Sequence, residues 1–108
     1  MTANRRPNYF IMKTIDLTVR PRTDIGKAAN KALRAEGHIP AVVYDNSEAI
    51  HVSANVKELK SILYTKDTYI VNLNIEGQST LQAIVREAQF HPVTEQVLHV
   101  DFLRVTED

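Results

Sequence analysis

The chain has 108 residues, a length that suits one domain with a single modest core. It contains no cysteine, which excludes disulfide bonds, thiolate zinc sites and thiol nucleophiles and fits a protein of the reducing cytoplasm. The formal net charge is zero, yet residues 1–38 carry a net charge of +5 and residues 39–108 carry −5. Such asymmetry is typical of a protein whose basic part faces a polyanion, so a nucleic-acid partner is favoured.

The amino terminus shows no targeting or membrane signal. No apolar run approaches the roughly 18 residues of a membrane span, and no apolar stretch of a secretory signal follows the early arginines. Residues 1–11 have no hydrophobic periodicity, so we predict a flexible extension there and a single domain over 12–108.

The first predicted elements are a strand and a helix. Residues 13–20 alternate between apolar and polar side chains, which predicts a half-buried strand that Pro21 ends. A helix is predicted near 25–36, with Asp24 as its amino-terminal cap and Gly37 just past its end. Its predicted buried side consists of Ile25, Ala29, Ala32 and Leu33.

The rest of the chain is dominated by strands. Short strands are predicted at 41–44 and 50–53 around a turn at 45–48, followed by a helix near 55–64. Strands at 69–75 and from 81 toward Pro92 flank a Glu76-Gly77 turn, and a last strand covers 97–105. The order β-α-β-β-α-β-β-β predicts an α+β fold with a mostly antiparallel sheet curled into a small barrel.

Three cations of the first helix form the leading candidate site. Lys27, Lys31 and Arg34 are spaced to share the helix side opposite its apolar face, where they would neutralise several phosphates. Arg20 and Asn30 lie near enough in the chain to add hydrogen bonds. The alternative interpretation is an ordinary solvated helix face, and the uneven charge distribution favours the functional one.

Two histidines and an aspartate form a second candidate. His91, His99 and Asp101 have the donor types of a metal triad, but His99 and Asp101 point the same way on a strand while His91 lies across a turn. A His–Asp pair on one sheet face also suits base edges and ribose hydroxyls, because His donates and Asp accepts. A third interpretation is a polar pair that only holds two strands together.

Further candidates are Tyr44, which offers a ring for stacking on a base, and a polar interruption in the 81–90 strand. Arg86, Glu87 and Gln89 break the apolar alternation there, which predicts a bulge and a polar contact surface. Motifs for dinucleotides, P-loop phosphates, serine nucleophiles and zinc proteases are absent from the sequence. We therefore predict neither an enzyme nor a bound cofactor.

Two separated motifs give the chain a family resemblance. The first motif covers residues 26–44, from Gly26-Lys27 to Val43-Tyr44. The second covers residues 89–102 and contains Gln89-Phe90-His91-Pro92 and Leu98-His99-Val100-Asp101-Phe102. Both match the motifs of a known family in their order and spacing. They resemble the bacterial large-subunit ribosomal protein L-twenty-five family, also called the general stress protein Ctc family, in its short single-domain form. The resemblance covers about residues 13–105.

The resemblance implies a small, mostly antiparallel β-barrel of six or seven strands with two or three short helices. The implied ligand is 5S ribosomal RNA near its loop E, and the implied location is the cytoplasmic ribosome, among neighbours of the large subunit. The resemblance implies no membrane partner and no small-molecule substrate. Away from the ribosome the protein would be a monomer. The implied RNA-binding residues are Arg20, Lys27, Asn30, Lys31, Arg34, Tyr44, Arg86, Gln89, His99 and Asp101, with no metal site and no catalytic residue.

Three positions depart from the family pattern. Ala32 and Phe90 stand where the family has arginine, and Asp45 follows Tyr44 where the family has glycine. Each lost phosphate contact weakens RNA binding and lowers its salt dependence. These departures motivate an alternative function, a stress-linked, ribosome-associated protein-interaction module with weakened RNA binding.

Overall fold

The computed structural model describes residues 13–64 and 69–105, so the predicted extension at 1–11 lies outside the described residues. The described part contains six strands and two helices in the predicted order. They are β1 (Lys13–Pro21), α1 (Lys27–Ala35), β2 (His38–Asp45), β3 (Glu48–Asn55), α2 (Val56–Leu63), β4 (Tyr69–Ile75), β5 (Thr80–Phe90) and β6 (Val97–Arg104). Neither helix is long and apolar enough to cross a membrane.

The six strands close into a barrel in the order β1-β3-β2-β6-β5-β4. Four neighbouring pairs are antiparallel, whereas β1 with β4 and β2 with β6 are parallel. Closure leaves no long unpaired edge among the described strands, which protects a strand-rich domain from aggregation. The predicted fold class, a small and mostly antiparallel barrel with short helices, is confirmed.

The core fills the barrel because apolar and polar residues alternate along the strands. Leu17, Val43, Leu73 and Phe102 are almost fully buried and belong to one cluster. Leu59 of α2 joins the same cluster, so α2 closes one end of the barrel. The remaining outward positions of the strands are left for polar contacts.

The first helix differs from its prediction. α1 begins at Lys27 with Gly26 in the cap position, and no side chain of the described residues caps it, so Asp24 does not play the predicted role. Ile25 is 46% exposed and Ala32 is exposed as well, although both were predicted to be buried. The reason is that α1 packs on the outside of a closed barrel and contacts it along one side only. Such a helix buries a narrower apolar face than a helix inside a core does.

The turns follow local chemistry. Asp45 pairs with Glu48, so Asn46 and Ser47 form a two-residue hairpin turn, with Asn46 at φ 58°. Asp45 itself stays in the strand, and its Oδ2 accepts a 2.7 Å hydrogen bond from Nη1 of Arg104. The loss of the family glycine is therefore tolerated, because the left-handed position falls one residue later, on Asn46.

Candidate nucleic-acid interface

The predicted residues of β5 and β6 share the outer face of the barrel. In the strand register Val42 of β2 lies opposite Asp101, and Asp101 lies opposite Glu87. His99 stands two residues before Asp101 and lies opposite Gln89. Paired residues and residues two apart project to the same side of a sheet. Val43 of β2 and Val100 and Phe102 of β6, which flank Val42 and Asp101 in the chain, belong to the core, so this set points outward.

Tyr44 extends the same outer face toward the carboxyl end of β2. It lies two residues beyond Val42 and is half-buried. The guanidinium carbon of Arg86 lies 5.3 Å from the centre of the Tyr44 ring, within cation–π range. Arg86 has no partner in the register because the β5–β6 pairing shifts between Val85 and Glu87. The predicted irregularity in β5 is confirmed, and it carries Arg86 over Tyr44.

The helix α1 packs against β2 on this side of the barrel. Lys27 and Lys31 are exposed, one helical turn apart, whereas Asn30 and Arg34 are half-buried on the side that packs. The three cations therefore do not share one solvated face, which corrects the predicted grouping. The exposed face of α1 presents two lysines to a polyanion.

Arg34 is bound to the barrel itself. Its Nε and Nη2 donate hydrogen bonds of 3.1 and 2.8 Å to the carbonyl oxygen of Leu98. Leu98 has no partner in the register, because Gln89 pairs with His99 and Phe90 pairs with Val97. A second irregularity in the β5–β6 pairing thus leaves Leu98 without a strand partner, and the guanidinium of Arg34 donates to its carbonyl instead. Arg34 fixes the position of α1 on β6.

Replacing Arg34 should therefore cost stability. We expect Arg34→Met to lower the free energy of unfolding by about 1–3 kcal/mol, because it leaves the Leu98 carbonyl without its donors. The matched change Lys31→Met, at an exposed position of the same helix, should stay within about 0.5 kcal/mol. Urea unfolding of both variants measures the difference, and equal midpoints would contradict the anchoring role.

Arg20 projects from the outer face of β1, at some distance from the β6 residues. It lies opposite Ser53, and β3 and β2 separate it from β6. Its Nε lies 3.5 Å from Oε1 of Glu76, with both side chains more than half exposed. An exposed pair of this kind is weak. Arg20 therefore remains able to exchange Glu76 for a phosphate.

His99 and Asp101 are neighbours on the outer face, as predicted. Nδ1 of His99 lies 3.2 Å from Oδ1 of Asp101. That oxygen is buried, and within the described chain it receives no hydrogen bond of good geometry. An unsatisfied buried acceptor carries a desolvation penalty. The Asp101 side chain as a whole is 17% exposed, so part of the carboxylate group remains accessible to a ligand. The Asp101 carboxylate therefore keeps the capacity to accept a hydrogen bond from a ligand, although His99 lies beside it.

Burial is the main cause that lowers the pKa of His99 below its ordinary value of 6.5. The Asp101 carboxylate opposes this effect, while Arg34, Arg22 and His51 reinforce it. In the unfolded chain His99 binds a proton more readily than in the native state. Its contribution to stability is therefore fully present above about pH 6.5 and is lost as the pH falls.

A substitution at His99 makes this linkage measurable. The free energy of unfolding of the native chain, relative to His99→Gln, should decline as the pH is lowered from 7.5 to 5. Chemical unfolding of both proteins at several pH values gives that difference. A difference that stays constant over this range would contradict the linkage.

The second histidine of the predicted triad serves the loop between β5 and β6. Nδ1 of His91 accepts hydrogen bonds of 3.1 and 3.2 Å from the backbone N–H groups of Val93 and Thr94. Over residues 13–64 and 69–105, no three His, Cys, Asp or Glu side chains are grouped closely enough to hold a metal ion. His91 therefore does not join His99 and Asp101, and the metal interpretation loses its geometric basis.

The sequence interpretation overlooked Arg22 and His51. Arg22 follows Pro21, and its Nη2 donates hydrogen bonds to Oδ1 of Asn30 at 2.7 Å and to the carbonyl of Asp24 at 2.9 Å. His51 lies opposite Val42, one strand away from β2. The alternation of apolar and polar residues along β3 was a sequence signal for His51, but only the strand pairing places it in one row with Val42 and Asp101.

The fold and the site together define a small β-barrel domain with a cationic, hydrogen-bonding outer face beside a short helix, an arrangement suited to a polyanion. The chain belongs to the Ribosomal L25p family, whose family model matches residues 17–102. The resemblance drawn from two motifs is thereby confirmed for the family.

Several curated relatives support this assignment. The large ribosomal subunit protein bL25 of Porphyromonas gingivalis is 41% identical over 98 residues, covering 90% of this chain and 51% of that protein. The proteins of the same name from Amoebophilus asiaticus and Azobacteroides pseudotrichonymphae are 40% identical over 97 residues and 46% identical over 95 residues. These alignments cover 90% and 87% of this chain. The chain spans about half the length of these relatives.

Proposed function

We propose that this chain is a non-enzymatic structural constituent of the large ribosomal subunit that binds 5S ribosomal RNA near loop E. The observation that carries the proposal is the shared outer face of Tyr44, His99 and Asp101, beside the exposed Lys27 and Lys31 of α1. The relatives carry the name of a large-subunit protein, which supports a ribosomal role and a location on the cytoplasmic ribosome.

The proposed division of labour follows from the chemistry of each part. Lys27 and Lys31 supply attraction to phosphates, which is independent of sequence and sensitive to salt. The Asp101 side chain is 17% exposed, so its carboxylate offers an acceptor to an amino group on a base edge, and the neighbouring His99 adds a donor. Tyr44 supplies a ring beside these groups, so selectivity arises on the strands and affinity largely on the helix.

In this proposal residues 12–108 act as one RNA-binding unit, a monomer away from the ribosome that needs no cofactor or small-molecule substrate. Arg86 and Gln89 flank the His–Asp pair from β5, and Arg20 and Asn30 extend the surface along β1 and α1. Arg34 contributes by holding α1 in place through its two hydrogen bonds to the Leu98 carbonyl.

A mobility-shift assay tests the proposal. The chain should bind 5S ribosomal RNA more tightly than an unrelated structured RNA of similar length at moderate salt. The preference should persist when the salt concentration is raised, although both affinities fall. Equal affinity for the two RNAs would overturn the proposal.

The alternative, a stress-linked module that associates with ribosomes through protein contacts, is favoured by one observation. With Ala32 exposed and Arg34 bound to Leu98, the exposed face of α1 carries only Lys27 and Lys31 as cations. Co-sedimentation of Lys27→Glu/Lys31→Glu with large subunits discriminates the two functions. Retained association would favour the protein-contact module, and lost association favours RNA binding.

A further inference from the structure

A cleft lies between the carboxyl end of α1, the helix α2 and the first residues of β6. The two helices are joined beside it, because the backbone N–H of Val56 donates a 3.0 Å hydrogen bond to the carbonyl of Gly37. The volume of the cleft is about 200 Å³, below the roughly 300–1,000 Å³ of a small-molecule pocket. The space therefore suits one side chain of a partner rather than a whole small molecule.

Most of the lining of this cleft is aliphatic. None of its described lining residues is aromatic or acidic, and four carry branched aliphatic side chains: Ile39, Val56, Val97 and Leu98. Val56 and Leu98 are only half-buried, so they leave apolar surface that a partner could cover. Proteins bind unpaired bases largely by stacking them on aromatic rings. An aliphatic lining is therefore better matched to a protein side chain than to a nucleotide.

Two cations border the cleft without a carboxylate to neutralise them. They are Arg34 of α1 and the exposed Lys60 of α2. Within residues 13–64 and 69–105 neither side chain takes part in an ion pair. The bonds of Arg34 go to a neutral carbonyl, so its charge is retained. A partner that places a carboxylate beside its aliphatic side chain would meet complementary charge here.

Hydrogen bonds between the surrounding elements fix the walls of the cleft. Arg34 ties α1 to β6 through the Leu98 carbonyl. The hydroxyl group of Tyr64, which follows α2, donates a 3.2 Å hydrogen bond to the carbonyl of Glu95 in the loop before β6. Together with the bond between the helices, these contacts form the cleft before any partner arrives. A preformed site loses little conformational entropy on binding.

We propose that this cleft is a docking site for a segment of a partner protein in which a large aliphatic side chain stands next to a carboxylate. The aliphatic side chain covers Val56 and Leu98, and the carboxylate pairs with Lys60. Arg34 is the one residue that the cleft shares with the residues assigned to RNA, and its role there is to hold α1. The inference thus goes beyond the proposed function and does not depend on it.

Two synthetic peptides, acetylated and amidated, probe the chemistry of the cleft. Asp-Asp-Leu-Asp-Asp contains both proposed groups, and Asp-Asp-Ala-Asp-Asp keeps the charge without the large side chain. In NMR titrations of the full chain the leucine peptide should shift the signals of Val56, Lys60 and Leu98. It should bind at least about tenfold more tightly than the alanine peptide, because it buries a leucine side chain. Equal affinities, or shifts centred outside the cleft, would overturn the proposal.

A charge reversal tests the cationic border. Lys60→Glu should weaken binding of the leucine peptide about fivefold, because it replaces an attraction by a repulsion at an exposed position. Lys57→Glu makes the same change at an exposed position of α2 that does not line the cleft. Its effect should stay below about twofold, since salt screens the longer distance. Equal weakening by both variants would mean that net charge alone attracts the peptide, against the proposed site.

Gln96→Trp tests occupancy of the cleft without a change of charge. Gln96 is exposed and lines the cleft, so an indole ring at this position should block it while the urea unfolding midpoint stays near that of the native chain. Binding of the leucine peptide should be lost and the affinity for 5S ribosomal RNA should be retained. Unchanged peptide binding would overturn the docking site, and a loss of RNA affinity alone would assign the cleft to RNA instead. If the native chain shows no preference for 5S RNA, the proposed function fails and the peptide result stands.

Discussion

Lys27→Glu/Lys31→Glu is expected to lower the affinity for 5S ribosomal RNA at least about 100-fold at moderate salt. The change removes two phosphate contacts, and it also introduces two carboxylates that repel the RNA backbone. The slope of log affinity against log salt should become shallower by about 1.4–1.8, which a filter-binding titration at several salt concentrations measures.

The fold should survive this charge reversal. Both lysines are exposed, and the first turn of α1 has no acidic residue, so a glutamate at position 27 interacts favourably with the helix dipole. The double change Lys57→Glu/Lys60→Glu on α2 alters the net charge by the same amount at exposed positions. If the α2 variant loses as much affinity as the α1 variant, the loss reflects net charge alone and the role of α1 is refuted.

Phe102→Ala is expected to have the largest effect on stability. Phe102 is 0% exposed in the centre of the barrel, among residues contributed by several strands. Truncation of a buried phenylalanine to alanine costs about 3–5 kcal/mol, because it removes apolar burial and leaves a cavity. Domains of this size are stable by only about 5–15 kcal/mol, so the variant should unfold at much lower urea concentration.

Phe90→Ala provides the matched control for this prediction. Phe90 is 41% exposed and does not belong to the described core cluster. Its ring centre lies 6.1 Å from that of the exposed Tyr64, in a tilted arrangement. Its truncation should cost less than about 1 kcal/mol. Comparable losses for the two variants in urea unfolding would contradict the location of the core.

The sequence was sufficient to predict the elements because their signals are local. Alternation of apolar residues defined the strands, and the alternation at 69–75 matched β4. The Gly37 prediction also held, since this residue ends α1 with φ 85°. Closure of the barrel and its two parallel pairs depend on contacts between distant segments, and no local pattern encodes them.

The candidate site was harder to predict for the same reason. Helical spacing grouped Arg34 with Lys27 and Lys31. In the structure Arg34 instead donates to the carbonyl of Leu98, 64 positions away, at an irregularity in the β5–β6 pairing. Arg22 and His51 carry no motif, and only the β1–β3 pairing brings them together. The His99–Asp101 pair was predictable, because residues two apart on a strand always share a face.

The central claim is that one side of the barrel binds RNA, and NMR chemical-shift mapping on addition of 5S ribosomal RNA tests it most directly. Large shifts are predicted for α1 and for Tyr44, His99 and Asp101. Asn72 lies on β4, the strand opposite β2 in the barrel order, and Gln82 lies beside it on β5. The signals of these two side chains should be unaffected. Shifts centred on Asn72 and Gln82, with α1 unchanged, would contradict the account.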